Sequence, residues 1–294
     1  MGAVPPEPWT ARIALVVVTR DRAEVFARCA LPGILEAASL GVDVAVVDQS
    51  GDDATGRLLA DVTDVRYEHP VTRGLSRGRN QGLAVIDAPI VAFADDDVVF
   101  DADWLRRIVA VFDAEPSAGA VCGDGLDPHG ARLPGGRPGV YTWPTNPFAL
   151  GSGFNMAVRR DALAAVGDFD VDFGPGAAFR SADDTEILHR ILRAGWSVVC
   201  SDAITVTHDM WHSGREELDV HFAYGYGAGA QWRKHRGGRD VVATRLMVGD
   251  AGRHVVTIAR SLARGRLRVA RIQLHWLRGL AAGFARAADP PRRR

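Results

Sequence analysis

The sequence has few cysteines and a single lysine. Its three cysteines, Cys29, Cys122 and Cys200, stand far apart and form no CxxC pair. This spacing argues against a disulfide framework or a structural zinc site, and it fits a reducing compartment, so we expect a cytoplasmic protein. With 294 residues and 47% hydrophobic content, the chain is long enough for one large domain, or for one domain and an appendage.

Targeting features are lacking as well. The N-terminal stretch "MGAVPPEPWTAR" has neither the basic region nor the apolar region of a secretory leader. Pro6 stands where the myristoylation pattern requires Ser or Thr. No apolar run reaches the ~18 residues of a membrane-spanning helix. We therefore expect residues 1–11 to be a disordered tail and no helix to cross a membrane.

Charge is unevenly distributed along the chain. The net charge is only −1, so no bulk field favours nucleic acid. From Arg245 onward, however, there are twelve arginines and two aspartates, a net charge of +10, whereas the preceding residues carry −11. This pattern indicates an acidic body with a basic tail, and basic tails favour anionic surfaces.

Over the first 125 residues, short apolar segments alternate with helical patterns. Apolar runs such as "ARIALVVVT", "VDVAVVD", "DVRYEH", "PIVAFADDD" and "AGAVCGD" predict strands, and "EVFARCALPGILEAASLG" predicts a helix that Pro32 interrupts or kinks. We predict an α/β fold with a mostly parallel, Rossmann-like sheet and helices on both faces. Ligands bind such sheets at the carboxyl ends of the strands, where Thr19, Asp48 and Asp95 to Asp97 fall.

In the second half of the chain, strand and helix patterns alternate less regularly. A Gly- and Pro-rich loop covers about residues 124–150, and "DDTEILHRILRAG" then predicts a helix with Gly195 as its C-cap. Ile187, Leu188, Ile191 and Leu192 share one face of that helix. "WSVVCSDAITVTH" predicts a strand, and the sequence after His208 is helical and rich in arginine.

Three consecutive aspartates end the apolar segment "APIVAFADDD". In a strand, alternate residues share a face, so Asp95 and Asp97 should point together and Asp96 away. Two converging carboxylates suit a hard divalent cation. The alternative is a solvated acidic turn in which Asp97 or Asp101 caps the next helix. The apolar strand before the triplet favours a metal site.

Six motifs in order resemble glycosyltransferase family 2, which has the GT-A (nucleotide-diphospho-sugar transferase) fold. They are "IALVVVTRDR", "VDVAVVDQSGDDAT", "TRGLSRGRNQGL", "VAFADDDVVFDADWL", "GSGFNMAVRRDALAAVGDFD" and "SADDTEILHRILRAGW", and they span about residues 12–210. The resemblance implies a UDP, dTDP or GDP type of sugar donor, Mn²⁺ or Mg²⁺, and inversion at the anomeric carbon. It also implies a catalytic domain over 12–215, with a nucleotide-binding half (about 12–125), an acceptor half (about 126–215) and a basic helical extension (216–294).

The resemblance also assigns residues on the donor side. It makes Asp97 and His208 the metal ligands, although a lone histidine is as readily structural. Asp48 would hydrogen-bond the edge of the donor's nucleotide base, or else form an Asx turn. The full donor-binding set is Thr19, Asp48, Arg77, Asn80, Asp95 and Asp96, with Asp95 at the ribose. We expect Arg73 and Arg79 to lie on a solvated basic face. The segment "VVVTRDR" differs from the Pro-Thr-Tyr-Asn turn that is common in the family at the nucleotide-base pocket.

An inverting transfer needs a carboxylate that takes the proton of the acceptor hydroxyl. The family supplies it from an acidic pair at the start of a helix, here Asp183 and Asp184, and we expect Asp184 to be the base. Asp184 could instead cap the backbone of Ser181, since "SADD" has the spacing of a capping box. The adjacent acid argues against pure capping.

On the acceptor side the resemblance places Gly153 and Asn155 of "GSGFNM", and Trp211 is added as a ring that could stack on a sugar. Sugar stacking is open to aromatic residues as well, although packing is the more common role of each; the candidates are Trp143, Trp211, Tyr224 and Tyr226. Processive family members carry Gln-x-x-Arg-Trp after the base, and "GAQWRKHR" lacks that spacing, so we expect transfer of single sugars. His189 and His212 are weaker candidates, and we expect His189 on the solvent side of its helix.

The segment "RSLARGRLRVARIQLHWLRGLAAGFARAA" predicts an amphipathic helix. Arg264, Arg271 and Arg278 recur at heptad spacing beside an apolar stripe, which consists of Leu267, Ala270, Leu274, Leu277, Ala281 and Phe284. A helix lying on a membrane surface has this pattern. A helix packed on the catalytic body or on a second subunit has it too.

Two other classes of protein fit part of this pattern. A nucleotidyltransferase would reuse the strand-end acids but predicts a Gly-rich, Lys-bearing loop after the first strand, where "TRDRAEVF" has neither and Lys234 is the only lysine. A non-catalytic sugar-binding protein on the same fold would have lost the acids, whereas Asp95, Asp97 and Asp184 are present. Sugar transfer is therefore the leading hypothesis.

Overall fold

The computed structural model describes residues 8–209, 214–236 and 240–287, which form two units. The first comprises residues 8–73, 77–169 and 187–209, and the second comprises 74–76, 170–186, 214–236 and 240–287. Residues 170–186 group with the C-terminal helices in this division, and the predicted domain boundary at residue 215 stays a prediction. At the N-terminus, Trp9–Arg12 form a 3-10 turn that covers the end of the predicted tail, and residues 1–7 lie outside the described part.

The first unit contains a nine-stranded sheet. Its strands are β1 (Ile13–Thr19), β2 (Asp43–Asp48), β3 (Val65–Glu68), β4 (Ile90–Asp95), β5 (Val98–Val99), β6 (Ala118–Leu126), β7 (Gly139–Tyr141), β8 (Asn155–Arg159) and β9 (Ser197–His208). The order is β3-β2-β1-β4-β8-β6-β9-β5, with β7 also paired to β9. β5, β7 and β8 pair antiparallel to their neighbours, and the other six strands run in one direction. The predicted mostly parallel sheet is confirmed.

Helices cover both faces of this sheet. They are α1 (Ala23–Arg28), α2 (Ala30–Ser39), α3 (Ala54–Leu58), α4 (Leu75–Val85), α5 (Ala102–Ala114), α6 (Arg160–Val166) and α7 (Asp183–Arg193). Alternate β1 residues point to two cores: Leu15 packs with residues of α1, α2 and α5, and Val16 packs with residues of α4, α6 and α7. The predicted apolar face of α7 is confirmed, since its four residues are fully buried.

Two local sequence features shape these helices. Pro32 lacks an N–H and its ring clashes with the carbonyl four residues earlier, that of Arg28. The helix accordingly breaks at Cys29, between α1 and α2, as the position of Pro32 predicts. On α4, a Cβ at Gly78 or Gly82 would overlap a valine side chain of β1, so these glycines let the helix lie close to the sheet.

The second unit contains three further helices, α8 (Gly214–His235), α9 (Val241–Ala263) and α10 (Leu267–Arg286). Glycines bring α8 and α10 into backbone contact. Gly225 and Gly229 on α8, and Gly279 and Gly283 on α10, are four residues apart, and a Cβ at any of them would overlap a carbonyl oxygen of the facing helix. Small residues at this spacing allow close helix packing.

The C-terminal extension is helical, as predicted, but its buried face matches the predicted stripe only in part, at Ala270. Leu267 and Leu274 are 62% and 48% exposed, while Ile272 and Trp276 are buried with the glycines of α10. The apolar pattern does not include Gly279 and Gly283, although these two glycines of α10 lie closest to α8. Within the described residues, no helix combines the length and the apolar character needed to cross a bilayer.

Candidate active site

Polar side chains lie at one edge of the sheet because neighbouring parallel strands end together. Thr19 pairs with Asp48 in the β1–β2 register, and Val18 pairs with Asp95 in the β1–β4 register. The carboxyl ends of β1, β2 and β4 therefore bring Thr19, Asp48 and Asp95 to the same edge. This is the edge at which the sequence predicted a ligand site.

A short strand pair adds a histidine to this edge. After the turn at Asp96 and Asp97, β5 pairs antiparallel with the end of β9, and Val98 stands opposite His208. One potential ligand atom from each of Asp95, Asp97 and His208 lies within 4.8 Å of the others. The structure thus brings together both residues predicted as metal ligands, with Asp95 as a third.

The chemistry of this cluster fits a divalent cation. Asp97 is 5% exposed, and its Oδ1 has no hydrogen-bond partner among the described residues. The nearest imidazole atom, His208 Nε2, lies 3.5 Å from that oxygen. Buried carboxylate oxygens need compensation, and two carboxylates with one imidazole form a ligand set suited to Mn²⁺ or Mg²⁺.

Arg22 neutralises part of the aspartate triplet. Its guanidinium lies 2.9 Å from Asp96 Oδ1 and donates to Asp97 Oδ2 at 2.7 Å. The Thr19 hydroxyl donates to Asp96 Oδ2 at 2.7 Å. Burial raises the pKa of the Asp96 carboxyl to about 6, although Arg22 and the Thr19 hydrogen bond act in the opposite direction. Thr19 and Asp96, both predicted to face the donor, bind each other in the interior.

Arg79 also contacts the triplet, and here the prediction of a solvated basic face is wrong. Arg79 is 2% exposed and donates to Gly153 O at 3.1 Å and to Asp95 Oδ1 at 3.3 Å. Its guanidinium lies over the rings of Phe93 and Phe169, with centroid distances of 5.7 and 5.4 Å. A buried cation requires such partners. Arg79 therefore links α4 to the metal cluster and to the predicted acceptor segment.

Asp48 has the turn-forming contacts that were the alternative to base recognition. It is fully buried, and its Oδ1 accepts the Ser50 N–H at 2.9 Å and also the Ser50 hydroxyl. Its Oδ2 accepts the Tyr67 hydroxyl at 2.8 Å. Burial, and next the hydrogen bond to Asp48, raise the pKa of Tyr67. Asp48 is thus engaged through both oxygens, and the contacts with the Ser50 and Tyr67 hydroxyls are ones that the sequence did not predict.

The other predicted donor residues differ in exposure. Arg77 is exposed, which suits a ligand contact. Asn80 instead exchanges two hydrogen bonds with the backbone of Phe169, donating at 2.8 Å and accepting at 3.0 Å. Arg73 is exposed, as expected.

Asn155 on the predicted acceptor side is an interior residue. Its Oδ1 accepts from the indole of Trp104 at 2.9 Å, and its Nδ2 donates to Asp124 O at 2.8 Å and to Ile204 O at 3.2 Å. It is 1% exposed, so its amide joins β8 to β6 and β9. Trp211, the third predicted acceptor residue, lies outside the described residues, as does His212.

The aromatic candidates have packing contacts. Trp143 meets the ring of His189 edge-on at 5.1 Å, and the guanidinium of Arg193 lies 5.2 Å from the Trp143 ring centre. His189 is fully buried, so its predicted solvent position is wrong. In the second unit, Tyr226 stacks on Phe222 and Tyr224 is 50% exposed.

The acidic pair of α7 belongs to the second unit. Asp183 is 6% exposed and Asp184 is partly exposed, with Asp184 Oδ1 accepting the Thr185 N–H at 2.7 Å. The Ser181 hydroxyl, the other half of the predicted capping box, donates to Ala223 O on α8 at 2.8 Å. The residues before the pair are strained, since Arg180 and Ala182 have φ of +64° and +68°.

Contacts from α8 fix the start of α7. Gln231 accepts from the Thr185 hydroxyl at 2.8 Å and donates to Thr185 O at 3.1 Å. The fully buried Glu186 accepts from Lys234 and lies 3.0 Å from His235 Nε2. "GAQWRKHR" therefore supplies the residues that hold the helix turn carrying Asp184. Sequence reasoning missed this, because nothing in the spacing links residues about 46 positions apart.

An acidic cluster at the strand ends of this sheet is the arrangement of a GT-A glycosyltransferase, and the sequence comparisons agree. The Glycosyl transferase family 2 model matches residues 15–167, which is more than half of the chain. The chain belongs to glycosyl transferase family 2.

One relative and two solved structures show what the chain is similar to. Glucosyl-dolichyl phosphate glucuronosyltransferase of Haloferax volcanii is 24% identical over 227 residues, covering 71% of this chain and 72% of the relative. The mannosyltransferase PcManGT of Pyrobaculum calidifontis, solved with GDP-Man and Mn²⁺, has a TM-score of 0.64 at 17% identity, covering 92% of this chain and 86% of that one. S. aureus TarS 1–349 with UDP-GlcNAc has a TM-score of 0.57 at 11% identity, covering 91% and 92%.

Proposed function

We propose that this glycosyltransferase moves a single sugar from a nucleoside-diphosphate donor to an acceptor hydroxyl, with a divalent cation and with inversion at the anomeric carbon. The convergence of Asp95, Asp97 and His208 carries the proposal, because a buried carboxylate oxygen of Asp97 lies there without a hydrogen-bond partner among the described residues. The ligands of the similar structures, GDP-Man and UDP-GlcNAc, support a nucleotide-sugar donor.

The protein's own side chains have distinct tasks in this proposal. Asp95, Asp97 and His208 would hold Mn²⁺ or Mg²⁺, which when bound neutralises charge on the departing diphosphate. Arg22 holds Asp97 through its second oxygen, and Arg79 holds Asp95 from the interior. The exposed Arg77 would contact the diphosphate, because a guanidinium matches phosphate oxygens. Thr19, Asp48, Asn80 and Asp96 support the donor side through the contacts described above.

We propose Asp184 as the general base. Its carboxylate takes the proton of the acceptor hydroxyl while that oxygen bonds to the anomeric carbon and the bond to the diphosphate breaks. Support comes from its partial exposure, from the strained turn before it and from the α8 residues that fix its helix turn. Asp183 would assist at the acceptor side, together with Gly153.

A lipid-linked acceptor is the class that we favour over free glycans and small molecules. The name of the Haloferax volcanii relative contains a lipid-linked sugar, glucosyl-dolichyl phosphate. Part of the same proposal is a cytoplasmic location, with the basic C-terminal helices in contact with a membrane.

A donor screen tests the central claim. Release of nucleoside diphosphate should be measured from UDP-, GDP- and dTDP-sugars with Mn²⁺, with Mg²⁺ and with EDTA. We expect turnover of one donor class, its loss in EDTA, and its loss in Asp97→Asn. Asp52→Asn is the matched control, because Asp52 is an exposed aspartate of the loop after β2. Full turnover in EDTA would contradict the metal assignment.

A further inference from the structure

An apolar stripe runs along the exposed face of α9. Val241, Val248, Val255 and Leu262 recur every seventh residue and are 62%, 60%, 55% and 54% exposed. Val256, between two of them, is 47% exposed. From first to last the stripe is about 32 Å long at the helical rise. Single exposed apolar residues are ordinary, but several of them in one row along a helix indicate an interaction surface.

Arginines accompany this stripe. Arg245, Arg253 and Arg260 are exposed along the same helix. Asp250, the only acidic residue within α9, is 2% exposed, and its charge is paired with that of the exposed Arg253. The solvent-facing side of α9 is therefore apolar and cationic, and no exposed residue of this helix is acidic.

The next helix continues the same pattern. Leu267 and Leu274 are 62% and 48% exposed on α10, and Arg271 and Arg278 are exposed beside them. No residue of α10 is acidic. The two helices pack on each other, since His254 of α9 stacks on Trp276 of α10 with ring centres 3.6 Å apart. They thus form one element of the second unit.

The opposite side of this helix pair is already occupied. Gly279 and Gly283 bring α10 into backbone contact with α8, and Ala243, Asp250 and Ser261 form the buried side of α9. The exposed apolar stripe is therefore not needed to form the core of the second unit.

We infer that the exposed faces of α9 and α10 dock on the surface of a lipid bilayer that contains anionic lipid. Valine and leucine at this face would enter the headgroup boundary, and the arginines would meet lipid phosphates. A second copy of the chain fits less well. A symmetric contact through this face would set rows of arginines against each other with no acidic partner on either helix.

The inference rests on the membrane location proposed above, and it does not depend on the transfer chemistry. It names the helices, the face and the lipid class, and it holds whichever sugar is moved. The docking test can therefore be read without an active donor, and donor turnover can be measured without vesicles.

Vesicle sedimentation of the full chain tests the inference. We expect binding to vesicles of phosphatidylcholine with phosphatidylglycerol, little binding to phosphatidylcholine alone, and weaker binding at high salt. Val248→Ser/Val255→Ser should weaken binding to the anionic vesicles about tenfold or more. Arg245→Gln/Arg260→Gln should do the same, because each surface arginine contributes about a fivefold gain.

Matched controls lie on the first unit. Leu40→Ser removes an equally exposed leucine, and Arg57→Gln removes an exposed arginine, so both should bind vesicles as the wild type does. Circular dichroism should show all variants folded, since every changed side chain is exposed. Donor turnover in vesicle-free solution should be equal in all of them.

Three results would overturn the inference. The wild type could stay in the supernatant with anionic vesicles, or it could bind neutral vesicles equally well. Alternatively, analytical ultracentrifugation could show a dimer that Val248→Ser/Val255→Ser converts to a monomer, which would assign the face to a second copy. If the protein turns over no donor while the variants lose vesicle binding as expected, the result counts against the transfer proposal alone.

Discussion

Arg22 binds one carboxylate oxygen of Asp97 and leaves the other facing His208. The guanidinium donates to Oδ2 at 2.7 Å, while Oδ1 lies 3.5 Å from His208 Nε2 without a hydrogen bond from any described residue. Arg22 thus orients Asp97 and also places a positive charge beside the oxygen that would bind a cation. These two effects oppose each other in metal affinity, which makes Arg22 an informative site to change.

We expect Arg22→Gln to bind Mn²⁺ about tenfold more tightly than the wild type in the absence of donor. Removing a cation a few ångströms from the site relieves about 1 kcal/mol or more of repulsion, after allowance for solvent at this half-buried side chain. Arg22→Lys should keep most of the repulsion. Isothermal titration with Mn²⁺ measures the affinities of both Arg22 variants, and Arg57→Gln serves as the control. Weaker binding by the Gln variant would show that orientation of Asp97 outweighs the charge.

The contacts of Asp48 predict a stability defect where the family resemblance predicts a binding defect. Asp48→Ala leaves the Tyr67 hydroxyl and the Ser50 N–H without their acceptor in the interior, at a cost of about 1–3 kcal/mol for each group. Tyr67→Phe removes one partner and should cost about 1 kcal/mol. Urea unfolding measures these losses. A raised donor KM in Asp48→Ala, with no change in the free energy of unfolding, would restore base recognition as its task.

Close helix packing in the second unit yields a third prediction. Gly279→Ala would place a Cβ onto the Phe222 carbonyl oxygen of α8, so the helices must separate and the second unit should lose about 3 kcal/mol or more. Gly252→Ala on α9 is the matched control: its Cβ would meet nothing within 4 Å, so the change should stabilise the helix by about 0.5–1 kcal/mol. Chemical denaturation of both variants compares them. Equal stabilities would contradict the packing role of Gly279.

The sequence allowed the sheet and its ligand edge to be predicted because both depend on local pattern. Apolar, β-branched runs between helices define a parallel sheet, and its strand ends meet at one edge by geometry, so Asp95 and Asp97 could be placed there. Helical periodicity likewise located the buried face of α7. These features need no knowledge of which distant side chains meet.

Features that depend on distant contacts were missed. Arg79 shares a helix face with Leu83 and Ile86, a signal that it is buried, yet an arginine is rarely buried without a partner, and its partner Asp95 lies in another element. Arg22 lies in a turn that departs from the family pattern, so the resemblance assigned it no role. The antiparallel β8 and the contact of Gln231 with Thr185 also depend on tertiary pairing.

Asp184→Asn separates the proposed base from a helix cap. A general base acts on the proton that moves in the transition state, so the amide should lower kcat by about 10²–10⁴-fold. The donor Kd should stay near that of the wild type, since no donor contact is assigned to Asp184. An asparagine Oδ1 can still accept the Thr185 N–H, so the melting temperature should fall by only a few degrees at most.

A capping role for Asp184 predicts the reverse pattern, a lower melting temperature with near-normal turnover. Asp161→Asn is the matched control, because Asp161 is an exposed acid in the first turn of α6 and has no proposed part in transfer. It should reproduce the effect of losing a first-turn charge and leave kcat unchanged. If Asp184→Asn behaves like Asp161→Asn in both measurements, Asp184 is not the base, and Asp183→Asn becomes the variant to measure. The two assays together decide the role of Asp184, because only loss of a general base lowers kcat without a matching fall in melting temperature.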